Sequence, residues 1–241
     1  MNYLIVETKC GGPGLVLPDG VGKHSITRTM DNTDNSASPC EMYQRAYLQL
    51  QRYHHDVLIY THDDVTIHDP NWLARVLHLF EQPNTVAVGL GGAAFLGSPH
   101  LYKRPYNIWD MARSWYFSNQ TDWEVHGAHE EGDRQVAVLD AFFMAVRTSF
   151  LDECGGWPTK HLTHHCLDLW LGCEAARRGK DIWITGASCT HHGGGTSIKD
   201  TYKQAKWLQG GTLESDHALP HKWLYEEYRD VLPIRSLRVP S

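Results

Sequence analysis

The run Val57-Leu58-Ile59-Tyr60 is apolar throughout and leads without a break into Thr61-His62-Asp63-Asp64. An antiparallel strand with one wet face would alternate, so an unbroken apolar run marks a strand covered on both faces, as in the centre of a parallel sheet. Parallel neighbours need crossover helices, and the flanking sequence supplies them. Tyr3 to Val6 reads as a short buried strand and Ser25 to Met30 as a second, with a Gly/Pro loop from Gly11 to Gly22 between them. Ser38-Pro39-Cys40-Glu41 is a capping box with proline at the first helical position, and the helix it opens runs to about Tyr53. Asp69-Pro70 starts another helix, which places Trp72, Leu73, Val76, Leu77 and Phe80 on one face. Val86-Ala87-Val88 is the next strand. The order β-β-α-β-α-β predicts an α/β fold built on an open, mostly parallel sheet with helices on both faces.

The second half is less regular. Gly89 to Asp133 has no clear period and is rich in aromatics, and a connection of that length is usually functional. Val136 to Leu139 and Phe142 to Val146 read as strands around Asp140. Gly155-Gly156-Trp157-Pro158 is a turn, and Asp168 to Arg178 is a helix closed by Gly179. Ile182 to Ile184 is a strand followed by His191-His192-Gly193-Gly194-Gly195, and two helical segments lie near Thr201 to Leu208 and Pro220 to Tyr228. With no repeat or linker, the 241 residues read as one domain.

Composition narrows the function. A net charge of −6 argues against a dedicated phosphate-backbone binder, although a local basic stripe would overrule it. None of the six cysteines forms a C-x-x-C pair, so free thiols in a reducing compartment are expected rather than a zinc ribbon. No apolar run approaches the ~20 residues of a membrane span, and the N-terminus has no signal-peptide pattern. A soluble cytoplasmic protein is expected.

Four clusters carry chemistry. His62-Asp63-Asp64 stands at the carboxyl end of an apolar strand, where ligands of open α/β sheets bind. Acids there serve either as a cap on a solvated turn or as hard oxygen ligands for Mg²⁺ or Mn²⁺ with a diphosphate. His191-His192 before three glycines is either a surface loop or a metal-binding end with anion-binding amides. Asp168 at a helix start either favours the dipole or acts as a general base. Asp140 interrupts an apolar run, so it has a polar partner or faces a site. A zinc site from His164, His165, Cys166 and His191 is a further possibility.

The order of these clusters resembles the family 2 glycosyltransferases and their GT-A (Rossmann-like) relatives. The resemblance rests on Asp31-Asn32 with Ser36, His62-Asp63-Asp64-Val65, Asp69-Pro70-Asn71-Trp72-Leu73, Asp140, Gly155-Gly156-Trp157, Asp168-Leu169, Gly179 and His191, over about residues 25 to 198. It implies a metal-dependent transfer of a hexose or pentose from a nucleoside-diphosphate sugar, UDP-linked, to an acceptor hydroxyl with inversion. Asp64 would hold Mn²⁺ or Mg²⁺, with His191 as second ligand and His192 as the alternative register. His62 and Asp63 would sit by the ribose and diphosphate, and Thr8 and Asp31 would face the nucleotide base. Asp168 would be the base, with Asp140 in reserve. The donor and metal half would extend to about residue 98, and the acceptor and catalytic half over 99–241. The chain departs from the pattern at His62, where an acid is usual, and at His165-Cys166, where Glu-Asp is usual. Those departures leave room for a non-catalytic relative that binds nucleotide-sugar or carbohydrate. Residues 99–116 interleave Lys103, Arg104 and Arg113 with Tyr102, Tyr106, Trp109, Trp115 and Tyr116. That mix suits a glycan or a hydroxymethylated pyrimidine in DNA as acceptor, and small viral enzymes of similar economy modify DNA in this way.

Overall fold

The computed structural model describes residues 1–9, 12–18, 27–34, 36–50, 54–97, 116–121, 127–193 and 213–236. In chain order its first half comprises β1 (Tyr3–Lys9), β2 (Thr27–Asp31), α1 (Pro39–Leu50), β3 (Val57–His62), β4 (Val65–Ile67), α2 (Trp72–Leu79), β5 (Thr85–Gly89), β6 (Gly91–Ala93) and β7 (Phe95–Leu96). The second half comprises β8 (Tyr116–Ser118), β9 (Ala128–His129), β10 (Arg134–Val136), β11 (Val138–Leu139), β12 (Phe143–Arg147), α3 (Thr148–Cys154), α4 (Leu167–Arg177), β13 (Asp181–Ile184), β14 (Cys189–His191), α5 (Leu213–Tyr228) and β15 (Ile234–Arg235).

Seven strands form the main sheet in the order β10-β13-β5-β12-β3-β1-β2. β1 pairs in parallel with β2 and β3, and β13 with β5, while β12 runs antiparallel between β3 and β5 and β10 closes one edge antiparallel. The period of two divides the core. Leu4, Val6, Leu58, Tyr60, Met144 and Val146 pack on the face covered by α1, α3, α4 and α5. Ile5, Val57, Ile59, Phe143 and Ala145 pack on the opposite face with Trp72, Val76 and Leu79 of α2. The sheet is mostly parallel with helices on both faces, as the apolar run at 57–60 predicts.

Local signals hold in detail. Ser38 N donates to Glu41 Oε2 at 2.9 Å and Glu41 N to Ser38 Oγ at 3.2 Å, which completes the capping box and fixes the start of α1. Gly156 has φ +90°, and a Cβ there would lie 2.5 Å from Gln44 Oε1, the atom that accepts the Trp157 N–H at 2.7 Å. That turn needs glycine both for its left-handed backbone and for the close approach.

Other expectations change. The stretch from Gly89 contains β6, β7, β8 and β9, which join into small sheets rather than staying irregular. Glycine is depleted in strands, so Gly91-Gly92 hid β6; a Cβ on Gly92 would meet Val138 O at 2.4 Å. α2 begins at Trp72 rather than Pro70, because Asp69 Oδ1 accepts the Asn71 N–H at 2.8 Å in a turn before the helix. The helix expected from Pro220 begins at Leu213. The segment near Thr201 to Leu208 lies outside the described residues, as do 99–115. No helix among the described residues is long and apolar enough to cross a membrane.

Candidate metal and donor site

The carboxyl ends of β1 and β3 lie side by side, with Thr8 opposite His62 in the register. Beyond them lies a cavity of about 170 Å³ lined by Thr8, Tyr43, His62, Asp63, Asp64, Ala141, His164, His165, Cys166 and Asp168, among others. Its position follows from the topology, since strand ends in open α/β sheets leave their last side chains without a covering helix.

His62, Asp64 and His191 each present a ligand atom, and these atoms lie within 4.8 Å of one another. Asp64 Oδ1 is buried and makes no hydrogen bond of normal geometry. His191 Nε2 is 3.4 Å from it and His62 Nδ1 is 3.9 Å away. Burial alone would raise the Asp64 carboxyl, but contact with His191 and the nearby His62 hold it below the ordinary carboxylate range. Burial, with the neighbouring His191, lowers the His62 imidazole. Neutral imidazole beside an ionised acid is a state ready to bind a cation. Phe142 stacks on the His191 ring at 4.8 Å and fixes its plane. Two imidazoles and a carboxylate suit a first-row divalent cation, and a buried Asp64 oxygen with only the two imidazoles near it fits that use.

The histidine doublet resolves by strand alternation. β14 pairs antiparallel with β4, placing His191 opposite Val65. The next residue, His192, turns its ring the other way, with Nε2 2.9 Å from Thr66 Oγ1. His192 therefore lies outside the triad, whereas His62, expected beside ribose and diphosphate, stands inside it.

Asp63 and Asp31 both make hydrogen bonds to nearby loops. Asp63 Oδ2 accepts the Gly12 N–H at 2.6 Å, and its backbone oxygen accepts that of Gly14 at 2.7 Å, so this acid pins the loop after β1 although it lines the cavity. Asp31 Oδ1 accepts the Thr33 N–H at 3.0 Å and the Thr33 hydroxyl at 2.9 Å in an exposed turn, and these bonds lower its pKa. Local hydrogen bonding of this kind is a common use of aspartate after a strand. Thr8 does line the cavity, and its hydroxyl is buried without a hydrogen-bond partner among the described residues. A buried hydroxyl without a partner is costly.

Asp168 lies in the first turn of α4 and lines the cavity. Burial, and next the Asp140 charge, push its carboxyl up to about 7, against backbone N–H groups including Leu169 at 2.8 Å. Cys166, just before α4, has φ +71°. A non-glycine residue in that region is strained, and such strain concentrates at functional sites. His164 and His165 line the same wall with ring centroids 4.6 Å apart. Among the described residues they do not join Cys166 and His191 in a metal cluster, so the zinc arrangement is not formed. The Tyr116 hydroxyl engages Asp140 Oδ2 at 3.0 Å, a contact that sequence reasoning missed because the partners are 24 positions apart and carry no local signal.

Solved structures resembling the chain include A197 from STIV, at TM-score 0.47 and 13% identity, covering 77% of this chain and 82% of that one. A second is the mannosyltransferase PcManGT from Pyrobaculum calidifontis in complex with GDP-Man and Mn²⁺, at TM-score 0.47 and 13% identity, covering 93% and 69%. A third is GalNAc-T7 with UDP, GalNAc and Mn²⁺, at TM-score 0.50 and 9% identity, covering 98% of this chain but only 55% of that one. No curated protein matches the chain. The profile of the family described as "Glycosyltransferase like family" matches residues 24–209, most of the sequence, and the chain belongs to that family.

Proposed function

We propose that the protein transfers a hexose or pentose from a UDP-linked donor to an acceptor hydroxyl, inverting the anomeric carbon and depending on Mn²⁺ or Mg²⁺. The observation that carries this reading is one cavity that brings together three elements. These are His62 and Asp64, which His191 completes as a triad, the Thr8 side chain and the half-buried acid Asp168. GalNAc-T7, whose structure contains UDP, GalNAc and Mn²⁺, supports the donor class.

In this reading the triad holds the cation, which when bound neutralises charge on the leaving nucleoside diphosphate. Thr8 meets the nucleoside through its hydroxyl, and Asp63 keeps the loop at residues 12–14 against the strand end. Asp168 in its ionised form accepts the acceptor's hydroxyl proton, the acceptor oxygen bonds to the anomeric carbon, and the glycosyl–phosphate bond breaks. The acceptor is either a glycan or a hydroxymethylated pyrimidine in DNA. We assign acceptor binding to the half from about residue 99 onward.

His165-Cys166, at positions where relatives carry acids, favours a second reading: a relative that binds nucleotide-sugar or carbohydrate without turning it over. Release of nucleoside diphosphate from a panel of nucleotide-sugars decides between them, measured with Mn²⁺ and with chelator, and with glycan and hydroxymethylated DNA acceptors. Mn²⁺-dependent release, accelerated by one acceptor class, is the expected result. Donor binding without release under every condition would establish the second reading.

A further inference from the structure

Tyr116 is buried, at 4% exposure, on β8. Its hydroxyl donates to Asp140 Oδ2 at 3.0 Å and accepts from Gln120 Nε2 at 2.9 Å. Gln120 is itself buried at 3%. Space for the phenol comes from Gly91, where a Cβ would lie 2.2 Å from the Tyr116 oxygen. The Gly91 carbonyl also accepts the Asp140 N–H at 2.9 Å. One glycine thus holds the Asp140 backbone and leaves room for the group that holds its side chain. Ala141, next to Asp140, lines the cavity together with His62 and Asp168, and the Asp140 charge acts on both of those groups.

Two carboxylates near one another repel, and the less constrained of them swings away. A buried phenol donating to one acid holds it in place against that repulsion, because a hydrogen bond to an ionised group is stronger than a neutral one. Burial and the Asp140 charge keep the Tyr116 phenol protonated, so it remains a donor. Gln120 fixes the direction of that donation by occupying the acceptor side of the hydroxyl.

We propose that Tyr116, braced by Gln120, is a positioning residue that fixes the Asp140 carboxylate for sugar transfer and acts on transfer only through Asp140. This rests on the transferase reading, and a wild-type turnover assay run alongside separates failure of that reading from failure of the proposal. The experiment is a double-mutant cycle of Tyr116→Phe and Asp140→Asn, reading kcat, donor KM and melting temperature. Phenylalanine keeps the packed ring, so donor KM should stay within about twofold while kcat falls on the order of tenfold, the scale of a misplaced charge beside the base. In the Asp140→Asn background, Tyr116→Phe should change kcat no further, because interacting residues are non-additive. Gln120→Met is a second probe should Tyr116→Phe fold poorly. It should lower kcat by less, and again only when Asp140 is present. Multiplicative effects of Tyr116→Phe and Asp140→Asn would overturn the proposal. So would wild-type kcat in either single variant while wild-type enzyme turns over donor.

Discussion

Asp168→Asn should abolish most transfer while making the protein more stable at neutral pH. The two effects share a cause. Asp168 is held in a cavity that burial and the Asp140 charge make hostile to a second carboxylate, and its pKa stands at about 7 against an ordinary 3.8. Between those values the folded protein keeps a proton that the unfolded chain has lost, so stability falls as pH rises from about 4 to about 7. Above that window the folded state bears the full cost of the ionised acid. Asparagine bears no charge, yet its side-chain oxygen can still accept the Leu169 N–H. The melting temperature of metal-free Asp168→Asn should therefore exceed wild type by a few degrees at pH 8, and the two should converge below pH 4. Loss of a general base costs about 10² to 10⁴ in rate, so transfer should fall by ~10² or more with donor affinity retained. In the wild type, transfer should rise with pH through neutrality as Asp168 ionises, at a lower pH when a bound cation stabilises the carboxylate. Transfer within a few-fold of wild type in Asp168→Asn would move the base to Asp140.

Asp64→Asn should remove cation-dependent donor binding. Asp64 contributes the only carboxylate of the triad, and its buried Oδ1 faces both imidazoles. Groups that merely orient metal ligands cost 10- to 100-fold in metal affinity when removed, so loss of the charged ligand itself should reach ~10² or more. The measurement is donor affinity by calorimetry with Mn²⁺ and with chelator. Wild type should bind donor far more tightly with Mn²⁺, and Asp64→Asn should bind it equally weakly in both. Since the variant is nearly isosteric, the melting temperature in chelator should change little. Undiminished Mn²⁺-dependent affinity in the variant would remove Asp64 from the site.

What the sequence carried legibly was local or periodic. The apolar run at 57–60, the Ser38/Glu41 capping box and the turn at Gly155-Gly156 each depend on neighbours within a few positions, and each appears in the fold. The carboxyl end of β3 was legible as a candidate site from the order of the motifs around it, since acids after a strand also serve in local turns, as Asp31 does. The division of labour within the site was not. Whether Asp63 meets a ligand or pins Gly12 depends on a contact 51 positions away. Which histidine of the doublet enters the triad depends on where β14 comes into register with β4. Tyr116 and Gln120 gain meaning only when Gly91 admits the phenol beside Asp140. The aromatic and basic residues of 99–115, read as an acceptor surface, lie outside the described residues.

The proposed donor site requires His62, Asp64 and His191 together to hold a divalent cation on which the donor depends. Mn²⁺ bound in the presence of nucleoside diphosphate tests it directly, because pulsed electron paramagnetic resonance detects nitrogen nuclei coordinated to that ion. Two imidazole nitrogen couplings are predicted in the wild type, with one lost in His62→Ala, one lost in His191→Ala and both retained in His192→Ala. Absence of nitrogen coupling in the wild type, or its loss in His192→Ala with His191→Ala unaffected, would exclude this ligand set.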